Sequence, residues 1–328
     1  MAEATDFCDE HDEVFMEVAL QLVTHNSSKY LPFLFDSLRL QTDVDWRLWI
    51  IDCGSSEAER VRTRELTETL RRDFAVEYFE DENIGFDGGH DLLFQKHSAD
   101  AVLLMNPDII FTPNYIATVR NALEQNADVG AITGLIYRWE WDEGGKPRLT
   151  QKIDSFGMAR SRSHKVFDRT EITAHPAFGV SGCLPMYRRS AIEENSPDGH
   201  LFDQAYFMYK EDVDVAYRLS RGGWNTLCVS EAIAYHHRDF RASILHRGAS
   251  VRSRHLSYRN HWWNLITHLE FQDWLRDGWA IIPFEFAKFG FFLLTRPSIL
   301  LRTLCETHKQ WQHLMKRRSA LKTLTKSL

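Results

Sequence analysis

From Glu17 onward, short apolar runs alternate with helical patterns for more than a hundred residues, and this alternation restricts the fold more than any other feature. The strand-like runs are 18–23, 46–51, 76–79, 101–105 and 129–136, and the helical stretches between them are 31–40, 57–74, 88–97 and 113–125. Such a β-α-β succession predicts an α/β domain whose mostly parallel sheet is covered by helices on both faces. Thr112-Pro113 reads as a helix start, with a capping hydroxyl followed by proline at the first helical position.

The alternation breaks at 138–175, where Gly144-Gly145-Lys146-Pro147 and scattered charge predict a long loop or hairpin, the kind of segment that covers a site. Regularity returns at 178–187, in an acidic helix from Glu211, and in strand-like 226–229 and 233–236. Beyond about 241 the pattern is helical and rich in Trp and Arg. The expected organisation is an acidic tail (1–15), a catalytic α/β domain (16–240) and a helical C-terminal region with a basic tail (241–328).

A chain of 328 residues with 44% hydrophobic and 26% charged residues has the composition of a folded globular protein. Its five cysteines are scattered without metal-ligand spacing, and the acidic N-terminal segment has no basic-then-apolar leader, so reduced thiols and a cytoplasmic location are expected. The net charge of −7 divides into +8 for residues 288–328 and −15 for the rest. The basic tail follows the apolar stretch 279–294, which argues for an anionic membrane surface over nucleic acid. That stretch is too short to span a bilayer, so it is read as an in-plane anchor at the inner face of the cell membrane. Trp262, Trp263, Trp274, Trp279 and Trp311 would sit at the lipid boundary, and Glu285 and Lys288 would share a helix face. The competing reading packs these aromatics on the catalytic domain or on a second copy of the chain.

Each chemically suggestive segment follows a strand and precedes a helix, the edge at which α/β sheets bind ligands. Thr24 and Asn26 follow the first strand. Asp52 ends the second, where a carboxylate can accept an imino N–H of a pyrimidine or simply cap the turn. Asn83, Gly85, Phe86, Gly88, Gly89 and His90 form a glycine-rich entry to a helix, suited either to close approach of a phosphate or to tight packing. Asn106-Pro107-Asp108 ends the most apolar strand. A carboxylate at Asp108 points to a divalent cation, Mg2+ or Mn2+, bridging two phosphates. Glu211 and Asp212 open a helix whose dipole favours ionised carboxylates, and Asp212 suits a general base for a hydroxyl in an inverting displacement. Arg218 is a secondary candidate on the same helix. His236, the first of a strand-end His pair, is the candidate to complete the metal shell.

Six motifs in order carry a resemblance: the Thr-His-Asn loop, Ile-Asp-Cys-Gly-Ser-Ser, Asn-Ile-Gly-Phe-Asp-Gly-Gly-His, Leu-Met-Asn-Pro-Asp, Ser181-Gly182-Cys183, and Glu-Asp-Val-Asp-Val-Ala-Tyr-Arg. Together they resemble the family 2 glycosyltransferases, in particular the bacterial rhamnosyltransferase-like branch with a GT-A fold, over about residues 18–237. The resemblance implies that Asp52 contacts the nucleotide base, that Asp108 is the metal-binding carboxylate, and that Asp212 is the base. It further implies a dTDP-L-rhamnose donor, with UDP sugars as the alternative, and a cell-surface glycan or lipid-linked acceptor. Asp87 and Asp91 depart from the family pattern and place extra negative charge in the glycine-rich motif. Arg259-Asn260 also resembles the family, without an assignable role. Two rivals remain: a sugar nucleotidyltransferase, which needs a basic glycine-rich loop where residues 24–29 have only Lys29, and a non-catalytic glycan- or partner-binding module on the same fold.

Overall fold

The computed structural model describes residues 16–238 and 250–324, so the acidic tail (1–15), the expected boundary from 239 to 249 and the last four residues lie outside the described residues. The first half realises the alternation: β1 (Val18–Thr24), α1 (Leu31–Arg39), β2 (Trp46–Cys53), α2 (Glu57–Leu70), β3 (Val76–Asp81), α3 (Gly85–Phe94) and β4 (Ala101–Met105). β5 (Ile109–Phe111), α4 (Tyr115–Gln125), β6 (Val129–Trp141), β7 (Pro147–Ser155), β8 (Met158–Arg160) and β9 (Val166–Asp168) follow. β10 (Met186–Arg188), α5 (Arg189–Glu194), α6 (Glu211–Arg221) and β11 (Asn225–His236) complete the α/β domain, and α7 (Val251–His268), α8 (Phe271–Thr295), α9 (Pro297–Lys309) and α10 (Trp311–Leu324) the C-terminal helices.

The main sheet runs β3-β2-β1-β4-β10-β6-β11-β5, with β7 paired to β6. β3, β2, β1 and β4 are parallel, as are β6 and β11, while β10 and β5 are antiparallel insertions. β1 and β4 are buried along their whole length, which is why they read as unbroken apolar runs. Leu20, Leu22, Leu103 and Met105 pack with Leu31, Leu34 and Phe35 of α1 in the largest core cluster. Burying each such side chain contributes about 1.5–3 kcal/mol.

Two expectations are corrected. The Thr112 hydroxyl donates to Ile233 O instead of capping, and α4 begins at Tyr115 after Asn114. The stretch 138–175 takes the hairpin form of the two expected: β6 and β7 pair up to Ser155, their turn closed by Asp142 with Gly145 at φ 71°, and β8 pairs with β9 beyond them. Within 178–187 strand is confined to its C-terminal end, in β10.

The basic tail is not a free-standing electrostatic object either. Arg317 reaches Asp214 of α6 at 2.8 Å, and Arg318 binds the carbonyls of Ile266 and Leu269. Lys288 pairs with Glu285 at 3.1 Å on the shared helix face. Trp263 is buried against Thr307, and Trp262 is half-buried with its indole N–H donated to Glu285. Trp274, Trp279 and Trp311 are exposed.

Candidate active site

The ends of β4, β11 and α6 meet at one edge of the sheet. Asn106 N–H donates to Cys183 O at 3.0 Å, and one residue back Gly182 N–H donates to Asp212 Oδ2 at 3.1 Å. The Asn-Pro-Asp turn and the start of α6 are thereby stitched to the same short segment, Ser181-Gly182-Cys183. A side chain at Gly182 would stand 3.2 Å from Glu211 Oε1, so glycine lets the two carboxylates lie against this backbone.

At the β4 end, Asp108 Oδ1 lies 3.3 Å from His236 Nε2, and the Asn106 amide also lies 3.3 Å from that nitrogen. His236 Nδ1 bonds the buried Asp154 at 2.9 Å, and Asp154 is itself balanced by Arg138 and Arg238. Burial opposes charge on both partners, yet the mutual attraction holds Asp108 below the usual carboxylate range and His236 well above the usual imidazole range. A carboxylate beside an imidazole whose far nitrogen is fixed by a second carboxylate is the way proteins orient metal-binding histidines. Among the described residues no group of three His, Cys, Asp or Glu side chains is arranged to hold a metal ion without other ligands. A cation here would therefore share Asp108 and His236 with diphosphate oxygens and water, which suits Mg2+ or Mn2+. The donor set fits that group. His237 is turned away to Trp139 O, and Asp154 and Arg238, which sequence reasoning missed, come from the hairpin and the strand end.

At the α6 start, Asp212 accepts from Gly182 N and Val213 N, while Glu211 is buried with Oε2 unpartnered among the described residues. Burial first, then the charge of Asp212, pushes Glu211 up to about 8, and burial also raises Asp212. Asp212, the more accessible of the two and aligned by two N–H groups, is the better placed of the two to accept a proton from a bound group. Glu211 is a neutral neighbour over much of the physiological range.

The helix start is built on strain. Phe207, Tyr209 and Lys210 each have φ 69°, costly for side chains with a Cβ. The Asn260 amide on α7 donates to the carbonyls of Tyr206, Met208 and Tyr209 at 2.7–3.0 Å, Arg259 donates to Ala205 O and Tyr206 O, and Asn264 donates to Lys210 O. Arg259-Asn260 thus acquires a role: it clamps the loop that aims α6. Asn260→Ala is expected to lower kcat at least about tenfold while donor KM stays within twofold, because it frees the loop without touching the β4 end. Unchanged kcat in a folded variant would show the clamp to be irrelevant to alignment.

Several predicted ligand groups turn inward. Asp52 is fully buried and accepts from Thr24 Oγ1 at 3.1 Å, Ser55 Oγ at 2.7 Å and Ser55 N at 3.0 Å, so Thr24 and Asp52 satisfy each other and cap a turn. The glycine-rich helix entry is filled by protein, because Phe207 O accepts from Asp87 N and occupies the space where a Cβ of Gly85 would be. Gly88 and Gly89 admit Ile84, Val23 and Cys53, the packing alternative. Phe86 contacts His90 and Phe202, and burial drives the enclosed His90 down to about 3. Arg218 is corrected as a binding residue: it is buried against Asp214 at 2.9 Å and Leu201 O. Asn26 and Asn83 remain exposed at the strand edge. Asp87 and Asp91 present no charge to that edge. Asp91 is bound by His200, Leu201 N and Gln204, and burial holds the Asp87 carboxyl well above its ordinary range.

Solved structures share this architecture. GalNAc-T7 with UDP, GalNAc and Mn2+ superposes with a TM-score of 0.59 at 15% identity, over 78% of this chain and 49% of that one. S. aureus TarS 1-349 with UDP gives 0.56 at 14% over 95% and 91%, and a Pyrobaculum calidifontis mannosyltransferase with GDP-Man and Mn2+ gives 0.54 at 14% over 94% and 86%. The fold is therefore that of the GT-A glycosyltransferases. Residues 21–195 match the family model for glycosyl transferase family 2, and the chain belongs to that family. An N-acetylglucosaminyl-diphospho-decaprenol L-rhamnosyltransferase from two strains of Mycobacterium tuberculosis is 29% identical over 154 residues, 42% of this chain and 47% of the relative. The match thus spans about half the length of these curated relatives.

Proposed function

We propose that this protein transfers a sugar, with inversion and with Mg2+ or Mn2+ as cofactor, from a nucleoside diphosphate donor to a hydroxyl of a lipid-linked or cell-surface glycan. L-rhamnose from dTDP-L-rhamnose is the first choice of donor, on the curated relative's name, and UDP sugars are the alternative. The observation that carries this reading is the joining of Asp108-His236 and Asp212 through one backbone segment, Ser181-Gly182-Cys183. Asp108 and His236 would hold the cation, which would offset charge on the departing diphosphate. Asp212 would take the proton from the acceptor hydroxyl as its oxygen bonds the anomeric carbon, and the nucleoside diphosphate would leave with the electron pair of the broken C–O bond. A purely binding module has no use for a raised carboxylate held at a strained helix start.

The work would be done at the inner face of the cell membrane. Phe271, Leu275, Trp279, Ile282, Phe286 and Leu293 are exposed on α8 and, at roughly 100° per residue, fall within about 80° of arc. The opposite side of α8 is buried through Asp277, Ile281 and Phe292, so the helix lies against the protein with one apolar face free, although its 25 residues are long and apolar enough to span a bilayer. Exposed Arg302, Lys309, Lys316 and Lys322 on α9 and α10 supply positive charge for anionic lipid.

The deciding experiment screens nucleotide sugars for turnover with Mg2+, with Mn2+ and with EDTA, and vesicle flotation of the same protein. Turnover of dTDP-L-rhamnose that EDTA abolishes, and flotation lost in Trp279→Asp/Phe286→Asp, are expected. Full activity in EDTA would remove the cation, absence of turnover with every donor would leave the binding module, and unchanged flotation would remove α8 as the anchor.

A further inference from the structure

The main-chain carbonyl of Asp108 is held from two strands. His237 N–H donates to it at 3.2 Å, one step beyond the ladder that pairs His236 with Ile109, and the indole N–H of Trp139 donates to it at 2.8 Å. Trp139 lies on β6, and β11 runs between β6 and β5, so its side chain reaches past the end of a whole strand to arrive at the Asn-Pro-Asp turn. His237 answers the contact: its Nδ1 donates to Trp139 O at 3.1 Å, and the two rings lie 4.4 Å apart. The indole is buried among Tyr30, Phe33 and Trp141, which keeps it from swinging away. Packing accounts for a large ring at this position, and a buried indole N–H needs an acceptor. The acceptor it takes is the one carbonyl in the turn that belongs to the candidate cation ligand, and that carbonyl already has a donor from the ladder.

We propose that Trp139 and His237 are positioning residues for the cation site: their two N–H groups fix the backbone of Asp108 and so set the gap between its carboxylate and His236. The inference rests on the reading of Asp108 and His236 as cation ligands and concerns what aligns them. Ligands at neighbouring corners of an octahedral Mg2+ stand roughly 3 Å apart, because each lies about 2.1 Å from the ion. Asp108 Oδ1 stands 3.3 Å from His236 Nε2. The histidine end of that gap is fixed by Asp154, which binds its far nitrogen at 2.9 Å. The aspartate end is fixed by the tie at its carbonyl, since only two rotatable bonds separate the clamped backbone from the carboxylate. Without the indole donor one N–H remains on that carbonyl, and the turn is free to shift away from the spacing that a small hard ion demands.

The test measures the affinity of the full-length protein for Mn2+ by electron paramagnetic resonance, alone and with dTDP or UDP present, in the wild type, Trp139→Phe and Trp141→Phe. Trp139→Phe keeps an aromatic ring and removes the donor, whereas Trp141→Phe trims a neighbouring ring of the same cluster and leaves both donors in place. Mn2+ affinity is expected to fall about tenfold or more in Trp139→Phe and to stay within about twofold in Trp141→Phe, outer-shell contacts being worth about 10–100-fold. Trp139→benzothienylalanine keeps the bicyclic shape and puts sulfur in place of N–H. It separates the donor from the cavity that phenylalanine leaves, and should reproduce the loss. Affinity within about twofold of wild type in this isosteric variant, or an equal fall in Trp141→Phe, overturns the proposal. If the wild type binds no Mn2+ under any of these conditions, the cation reading itself fails, and hydrogen exchange of the metal-free protein decides the tie. Faster exchange confined to residues 106–111 and 236–238 in the isosteric variant supports it; unchanged exchange there, or acceleration throughout the domain, overturns it.

Discussion

Asp212→Asn is expected to lower kcat/KM about 10³-fold, since loss of a positioned general base costs on the order of 10²–10⁴ and the amide keeps the shape of the side chain. Donor affinity should be nearly unchanged, while stability should fall by about 1 kcal/mol, because Gly182 N and Val213 N donate to different oxygens of Asp212 and the Asn amide keeps an acceptor for only one of them. The pH dependence carries a second signature. Burial raises Asp212 above the ordinary carboxylate range, so wild-type activity should fall on the acid side at a pH higher than a solvated aspartate would give. Stability should move the other way. Glu211 titrates at about 8 in the folded protein and near 4.3 when unfolded, so the folded state holds the extra proton between those values and stability declines as pH rises across that window. Glu211→Gln should flatten this decline. Urea denaturation at a series of pH values and a kcat/KM profile check both; an Asp212→Asn enzyme within tenfold of wild type would remove Asp212 as the base.

Asp214→Ala is expected to cost about 3–5 kcal/mol of stability, the usual consequence of leaving buried charges without their partner. Asp214 accepts from Arg218 at 2.9 Å, Arg317 at 2.8 Å and His268 at 2.8 Å, and nearly none of it reaches solvent. Burial alone would raise its carboxyl, but Arg317 and Arg218 hold it well below the ordinary range. The same substitution should loosen α10, which Arg317 fastens to α6, and make its Lys and Arg residues cleavable by limited trypsin. A loss under about 1 kcal/mol with an unchanged cleavage pattern would show that water takes the place of the carboxylate. Deleting the basic tail therefore does more than remove charge, because it also exposes the partners of Arg317 on the catalytic helix.

β1 and β4 were legible in the sequence as apolar runs because they are buried on both faces, and β2, with Arg47 exposed on one face, was still readable within a residue or two of its ends. The start of α6 was equally legible, since three carboxylates in a first turn mark a helix dipole. The glycine-rich motif was not: a phosphate cradle and a packed helix entry use the same glycines, and only the carbonyl of Phe207, more than a hundred residues away, separates them. Asp52 was ambiguous for a similar reason, because Thr24 reaches it only through the register of two parallel strands.

By itself the sequence determined which segments become strands and helices and which side chains are candidates for the chemistry, because periodicity, turn residues and local charge are properties of neighbouring positions. The tertiary structure alone decided what those side chains do. It brought His236 to Asp108, turned Arg218, His90 and Asp52 inward, and set Asn260 against the loop before Asp212. Apart from the Asp214–Arg218 pair, four residues apart on one helix, these outcomes depend on contacts between residues about 28 to 130 positions apart, and such contacts leave no mark in the spacing of either partner.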